Sequence, residues 1–458
     1  MKEYVIRYLE EIVGRENVLT GDEDLFLYSY DASFPEHRPE TVVFPRTTEA
    51  VSRLMTLATE ERIPVVPRGA GTGLSGGSVP VQAGIVLCLT KMNRILGIDA
   101  GNLVAEVEPG VVNQHLQAAT APYGLFYPPD PASMKVCTLG GNVAEDAGGP
   151  KCFKYGVTKN YILGLEVVLP DGQVIETGGN VVKNTTGYDL TRLFVGSEGT
   201  LGIVTRITVR LMPLPQSKRT MLVLFDSLDA ASRTVSAIIA AGIVPSALEM
   251  MDNLLIRCAE DFVHVGLPTD AAALLLIEVD GANAALDAEV ASIEKVCRQI
   301  GVREWKVATS AQEVDQLWLA RRTVIGAAGR FRPTVVLQDV TVPRNALPAM
   351  VARIVEISNK YEIPIGVLAH AGDGNLHPLI LFDERNRDEL QREHEIEKEI
   401  FAAALELKGT LTGEHGVGLT KIEYLPWQLN QAAIEITRGI KRLLDPHNIL
   451  NPGKIVVQ

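Results

Sequence analysis

Val51, Leu54, Met55 and Leu57 recur at helical spacing within Thr48 to Glu61, so that segment is predicted to be an amphipathic helix. A short strand is expected at Pro64 to Val66 and another, beyond a glycine-rich stretch, at Gly84 to Leu89. Apolar and β-branched runs predict further strands at Leu103 to Val107, Leu163 to Leu169 and Gly202 to Leu211, and Val111 to Thr120 is expected to be a helix. After Met212-Pro213-Leu214-Pro215 the pattern changes to regular alternation. Strands are expected at Thr220 to Phe225, Ala272 to Val279, Thr334 to Val342, Ile363 to His370 and Leu376 to Phe382. Between them lie helical periodicities at Leu228 to Ala241, Ala284 to Ile300, Ala311 to Gly329, Leu347 to Tyr361 and Arg387 to Leu407. A last helix, Ile434 to Leu444, leads into Asp445-Pro446 and Asn451-Pro452-Gly453-Lys454, whose prolines and glycine restrict the backbone. This order predicts an α+β fold with an antiparallel sheet. The expected domains are residues 1–215, 216–410 and a closing segment, 411–458.

Composition narrows the partners. The 458 residues, 46% hydrophobic and 22% charged, describe a globular chain of two or three domains, not a disordered or collagenous one. With 43 basic and 56 acidic residues the net charge is −13, which argues against nucleic acid and against direct binding to an anionic membrane. Cys88, Cys137, Cys152, Cys258 and Cys297 are widely spaced with no C-x-x-C. That argues against a disulfide framework, a cysteine-held zinc or an iron–sulfur cluster, and for free thiols in a reducing cytosol. The first seven residues carry mixed charge and do not read as a signal peptide. The longest apolar run, around Val235 to Val244, is interrupted by Gly242 and stopped by Pro245, too short to span a membrane. The expected location is cytoplasmic, reaching a membrane only through a partner.

Arg68-Gly69-Ala70-Gly71-Thr72-Gly73-Leu74-Ser75-Gly76-Gly77 is the first chemical candidate. Glycines let successive backbone N–H groups converge on an anion. Gly71 to Gly76 matches G-x-G-x-x-G, but Ser78-Val79-Pro80 and a strand follow where the dinucleotide fingerprint needs a helix. Small residues recur at Thr138 to Gly149, as turns or as a close approach to a flat ligand, and at Val195 to Gly202.

His370-Ala371-Gly372-Asp373-Gly374-Asn375-Leu376-His377 is the second candidate. A two-residue turn at Asp373-Gly374 would set His370 directly opposite His377 across a hairpin. Neutral imidazoles suit zinc, iron or manganese. Thr412-Gly413-Glu414-His415-Gly416-Val417-Gly418 offers a carboxylate beside a further histidine. Two histidines and one carboxylate would leave open positions for a substrate oxygen. His37, His115, His264 and His394 read as ordinary hydrogen-bonding or solvated residues. Arg321, on the predicted helix with Trp318, carries a planar guanidinium suited to a carboxylate.

Together with Pro128-Pro129-Asp130-Pro131, Lys154-Tyr155-Gly156 and the terminal Asn451-Pro452-Gly453-Lys454, these segments resemble the flavoproteins of the vanillyl-alcohol oxidase, or p-cresol methylhydroxylase (PCMH), type. The similarity is to their glycolate oxidase large subunit, D-lactate and D-2-hydroxyglutarate dehydrogenase branch. It implies a two-lobed FAD-binding domain, an α+β cap domain and a C-terminal segment returning to the flavin. It implies that Arg68, Gly69, Ala70, Gly71, Thr72, Gly73, Ser75, Gly76 and Gly77 hold the FAD pyrophosphate. Pro128, Asp130, Thr138, Gly140, Gly141, Ala144, Gly148, Gly149, Tyr155, Glu198, Gly202, Ile203 and Asn451 are implied around the rest of the cofactor. Asp146 departs from the asparagine usual in relatives, and no histidine lies in the glycine loop, so the FAD is expected to be non-covalent.

By the same resemblance His370, His377 and Glu414 hold a divalent metal, His415 is the general base and Arg321 binds the substrate carboxylate. Leu337 and Leu379 stand where 2-hydroxyglutarate enzymes carry polar side chains, which favours D-lactate or glycolate. Electrons would leave to an electron-transfer flavoprotein, an iron–sulfur subunit or a quinone, the chain being one subunit of a hetero-oligomer. Two other readings stay open at this point. One is a metal-dependent hydrolase or lyase built on the histidines, and the other a non-catalytic flavin subunit.

Overall fold

The structure is a computed structural model that describes residues 1–33 and 35–456. It divides into two compact units: Met1–Gly148 with Gly156–Leu214 and the chain from Glu414 onward, and Gly149–Tyr155 with Pro215–Gly413.

The first unit holds two main sheets. One has four strands in the order Val18–Leu19, Thr41–Val43, Ile85–Cys88, Val65–Arg68, the last three parallel. The other has five antiparallel strands in the order Ile95–Asp99, Val104–Val107, Ile203–Arg210, Ile162–Val168, Val174–Gly178. Thr48–Glu61 is a helix, as its periodicity predicts. Thr47 caps it by accepting from the Ala50 N–H, and Arg62 ends it in the left-handed conformation. Val51, Leu54, Met55 and Ala58 bury its apolar face against Val65, Ile85 and Leu87 of one sheet and Val168 and Ile203 of the other. The C-terminal chain completes this core. The buried Lys441 ammonium donates to Asp445 (2.5 Å) and the Leu450 carbonyl (2.6 Å), and Leu450 lies bridged to Val65.

The second unit is an eight-stranded sheet. Its order is Glu304–Val307, Ser217–Phe225, Ala273–Gly281, Ala247–Asp252, Ile365–His370, Asn375–Phe382, Thr334–Leu337, with Val340–Thr341 also on Asn375–Phe382. Every pairing in it is antiparallel, as expected. Helices Leu228–Ala240, Asn283–Ile300, Ala311–Ala328, Leu347–Tyr361 and Arg387–Glu406 fall where the periodicity puts them. Among the described residues no helix is long and apolar enough to cross a membrane.

Three local expectations are corrected. Leu139–Glu145 is a helix, not turns, because Thr138 caps it by accepting from the Gly141 N–H. Asp146 ends it at φ 55° and pairs with Lys159, so a left-handed helix stop explains a short polar residue there. Thr334 to Val342 is not one strand. It breaks at Gln338 and Asp339, opposite Pro378, which has no N–H to donate to the ladder. The hairpin register also differs. His370 faces Asn375 and His377 faces Leu368, with Ala371–Gly374 as a four-residue loop. The Gly372 N–H bonds to Leu248, and Gly374 takes the positive φ, 84°, which lengthens the turn beyond two residues.

Glu393, 5% exposed on the helix Arg387–Glu406, has its carboxyl pushed up to about 7 by burial and then by Glu397. The folded protein therefore holds this proton more tightly than the unfolded chain. The stability present at low pH is lost as pH rises from about 4.5 to about 7, by a total on the order of 3 kcal/mol. Glu393→Gln is expected to melt higher than wild type at pH 8 and to flatten that fall. Equal melting temperatures at pH 8 would contradict it.

Candidate active site

In the first unit the glycine loop follows strand Val65–Arg68 and forms neither helix nor strand up to residue 84. Gly71 (φ 71°) and Gly76 (φ 78°) take the left-handed conformation, which glycine adopts without steric cost. A side chain on Gly71 would overlap the Arg68 guanidinium, and one on Gly69 the Thr138 hydroxyl. Arg68 is buried, donates to the Tyr30 carbonyl (2.7 Å) and stacks over Tyr28. The loop therefore fits a pyrophosphate.

The other cofactor candidates of this unit knit that loop together. The Glu198 carboxylate accepts from the Val417 and Gly418 N–H groups, each at 2.7 Å, and the Glu198 N–H donates to Ala144. Asn451 donates to the Gly77 (2.9 Å) and Glu198 (2.7 Å) carbonyls. Ser75 donates its hydroxyl to the His415 carbonyl (2.8 Å) and accepts from the Leu419 N–H through its own carbonyl. Pro128, Asp130, Gly148, Gly202 and Ile203 are buried nearby in sequence to these elements. Sequence reasoning missed Glu145. It approaches both Gly77 and Gly416 so closely that a side chain on either would meet it, and burial, then Glu198, raises its carboxyl well above the ordinary value. Gly149 and Tyr155 belong instead to the second unit, where the Tyr155 hydroxyl and the Lys154 ammonium both donate to Asp280.

The second unit brings His370, His377 and Arg321 together. The two imidazoles are diagonal neighbours on one face of the hairpin, with ring centroids 5.1 Å apart. The shifted register thus keeps them adjacent. His370 Nδ1 lies 2.9 Å from both oxygens of Glu249. Arg321 Nη2 lies 2.6 Å from Glu249 Oε2. All three side chains are at most 7% exposed. Burial alone would raise the Glu249 carboxyl, but His370 and Arg321 outweigh it and hold it below its ordinary value. An ionised carboxylate only accepts, so Nδ1 of His370 carries a hydrogen toward it. His377 Nδ1 points to the Gln338 carbonyl (3.3 Å), so its Nδ1 also carries a hydrogen. Two imidazoles held this way are a donor set that fits a divalent metal.

The strand break at Gln338–Asp339 supplies that carbonyl and one further anchor. The buried Asp339 accepts from Asn375 (2.6 Å), the Thr412 hydroxyl (2.6 Å) and the Gly413 N–H (2.8 Å). Gly413 directly precedes Glu414 and His415, which open the last segment of the first unit.

The FAD linked oxidase C-terminal domain family matches residues 214–455, and the FAD binding domain family matches residues 39–178. The chain belongs to the FAD-linked oxidases. It is 47% identical to the glycolate oxidase subunit GlcD of Bacillus subtilis over 98% of this chain and 95% of that one. It is 41% identical to the glycolate oxidase subunit GlcD of Escherichia coli, over 98% of this chain and 90% of that one. It is 34% identical to the D-lactate dehydrogenase of Anaerostipes hadrus, over 97% and 95%. A crystal structure of p-cresol methylhydroxylase with substrate bound superposes with a TM-score of 0.81 over 98% of this chain and 96% of that one, at 20% identity. The PCMH-type fold expected of this FAD-linked oxidase is therefore the one it has.

Proposed function

We propose that this protein is an FAD-dependent dehydrogenase that oxidises a 2-hydroxy acid, D-lactate or glycolate, to the 2-oxo acid. The reading rests above all on one observation. In a chain that belongs to the FAD-linked oxidases, Arg321 is buried near His370.

The roles follow from chemistry. Arg321 Nε is buried and has no hydrogen-bond partner among the described residues, which suits it to a substrate carboxylate. His415 takes the hydroxyl proton onto its imidazole, the general-base role that histidine most often plays. Bound FAD, held by the loop Arg68 to Gly77 with Thr138 and its helix, supplies the acceptor for the hydride leaving the substrate Cα. A divalent metal (zinc, iron or manganese) on His370, His377 and Glu414 would lower the pKa of the substrate hydroxyl. Leu337 and Leu379 form an apolar cross-strand pair in the core, so 2-hydroxyglutarate, with its second carboxylate, should be a poor substrate. Electrons then pass to a partner, an electron-transfer flavoprotein, an iron–sulfur subunit or a quinone, in a cytoplasmic hetero-oligomer. Relatives that are themselves glycolate oxidase subunits support the hetero-oligomer.

The test is the visible spectrum of the purified protein before and after anaerobic D-lactate, L-lactate or glycolate. Flavin absorbance bleached by D-lactate or glycolate is the expected result. A protein that stays colourless when FAD is supplied would sink the reading, and a yellow one that none of these acids bleaches would remove the substrate class.

A further inference from the structure

We infer that Glu249 is a positioning residue for the metal site, orienting His370 and balancing the charge of Arg321 beside it. This rests on the metal reading above and deepens it.

Glu249 stands on strand Ala247–Asp252 directly opposite His370, in an otherwise apolar run whose Leu248, Met250 and Met251 are all buried. A fully buried carboxylate is costly unless paired and hydrogen-bonded. Here one carboxylate meets two groups from different elements, the Arg321 guanidinium of helix Ala311–Ala328 and the His370 imidazole of strand Ile365–His370. A buried ion pair would need only the arginine. The imidazole facing both carboxylate oxygens at 2.9 Å is the arrangement that fixes a metal-binding histidine's tautomer and ring plane.

Charge gives a second reason. Arg321 Nη2 is 3.5 Å from His370 Nδ1, so without Glu249 an uncompensated cation would stand beside any dication held by His370. His377 takes its orientation from the Gln338 carbonyl instead, so losing Glu249 should weaken metal binding without abolishing it.

The experiment titrates chelator-stripped, FAD-loaded protein with Zn²⁺ by calorimetry. Glu249→Gln is expected to raise the Zn²⁺ Kd about 10–100-fold with flavin absorbance unchanged, and Glu249→Asp to restore part of it. Arg321→Met removes the same ion pair from its other side but leaves the carboxylate on His370, and it should keep the wild-type Zn²⁺ Kd or tighten it. If the pair is merely structural, the two variants will shift Zn²⁺ affinity and melting temperature together, and the inference fails. Wild type and Glu249→Gln binding Zn²⁺ equally would overturn the role of Glu249 alone. A wild type that takes up no Zn²⁺ would overturn the metal reading, and this inference with it.

Discussion

Replacing His415 by alanine is expected to slow flavin reduction by D-lactate or glycolate about 10²–10⁴-fold, the range for removing a general base. FAD should stay bound, because the backbone around this residue is held without its side chain. The Ser75 hydroxyl donates to the His415 carbonyl, and Glu198 accepts from the next two N–H groups but one, those of Val417 and Gly418. Anaerobic stopped-flow reduction across pH 5–9 is the measurement. Wild type should show a limb on which rate falls toward low pH as the imidazole protonates, and the variant should lack that limb. Reduction within a few-fold of wild type, with the acid limb intact, would show that another group takes the proton.

Arg321→Met should act on both stability and catalysis. It leaves Glu249, 0% exposed, with His370 as its remaining partner in that cluster. Breaking a buried pair from one side costs about 3–5 kcal/mol, which should appear as a clear drop in melting temperature. It also removes the proposed carboxylate clamp, so kcat/KM should fall about 10²–10³-fold, mainly through KM. Arg321→Lys keeps the charge but not the fork and should recover only part of either loss. The double variant Arg321→Met, Glu249→Gln carries no lone buried carboxylate and should melt above the single Arg321→Met variant. Failure of that recovery would mean the two residues do not act as a pair in stability. An unchanged KM in Arg321→Met would remove it from substrate binding.

Local chemistry explains which parts could be read in advance. Five helices of the second unit were legible from their apolar periodicity, and three of them also open at a side-chain cap, Ser227 before Leu228–Ala240, Ser310 before Ala311–Ala328 and Asn386 before Arg387–Glu406. Strand Ala247–Asp252 was not, because Glu249 interrupts its apolar run, and helix Asn253–Val263 beyond it was missed as well. The carboxylate that hid the strand is the one that holds Arg321 and His370. The hairpin was legible but misregistered. An Asp-Gly pair favours a two-residue turn locally, and the bond from Gly372 to the neighbouring strand at Leu248 is a long-range effect that pattern does not contain. Likewise the break in Thr334 to Val342 comes from Pro378 in the partner strand, not from the residues that break.

The sequence by itself determined the antiparallel α+β unit, the glycine loop and the residue types able to bind a pyrophosphate, a metal and a carboxylate. Those follow from periodicity, from the absence of Cβ atoms and from side-chain donor sets, all properties of short segments. Only the tertiary structure decided which partner each group has. Glu198 and Asn451 tie backbone across more than 200 residues of chain, Asp339 anchors Gly413, and Glu249 lies between Arg321 and His370. Such pairings depend on strand register and on which buried charge meets which, and burial makes each choice costly to get wrong.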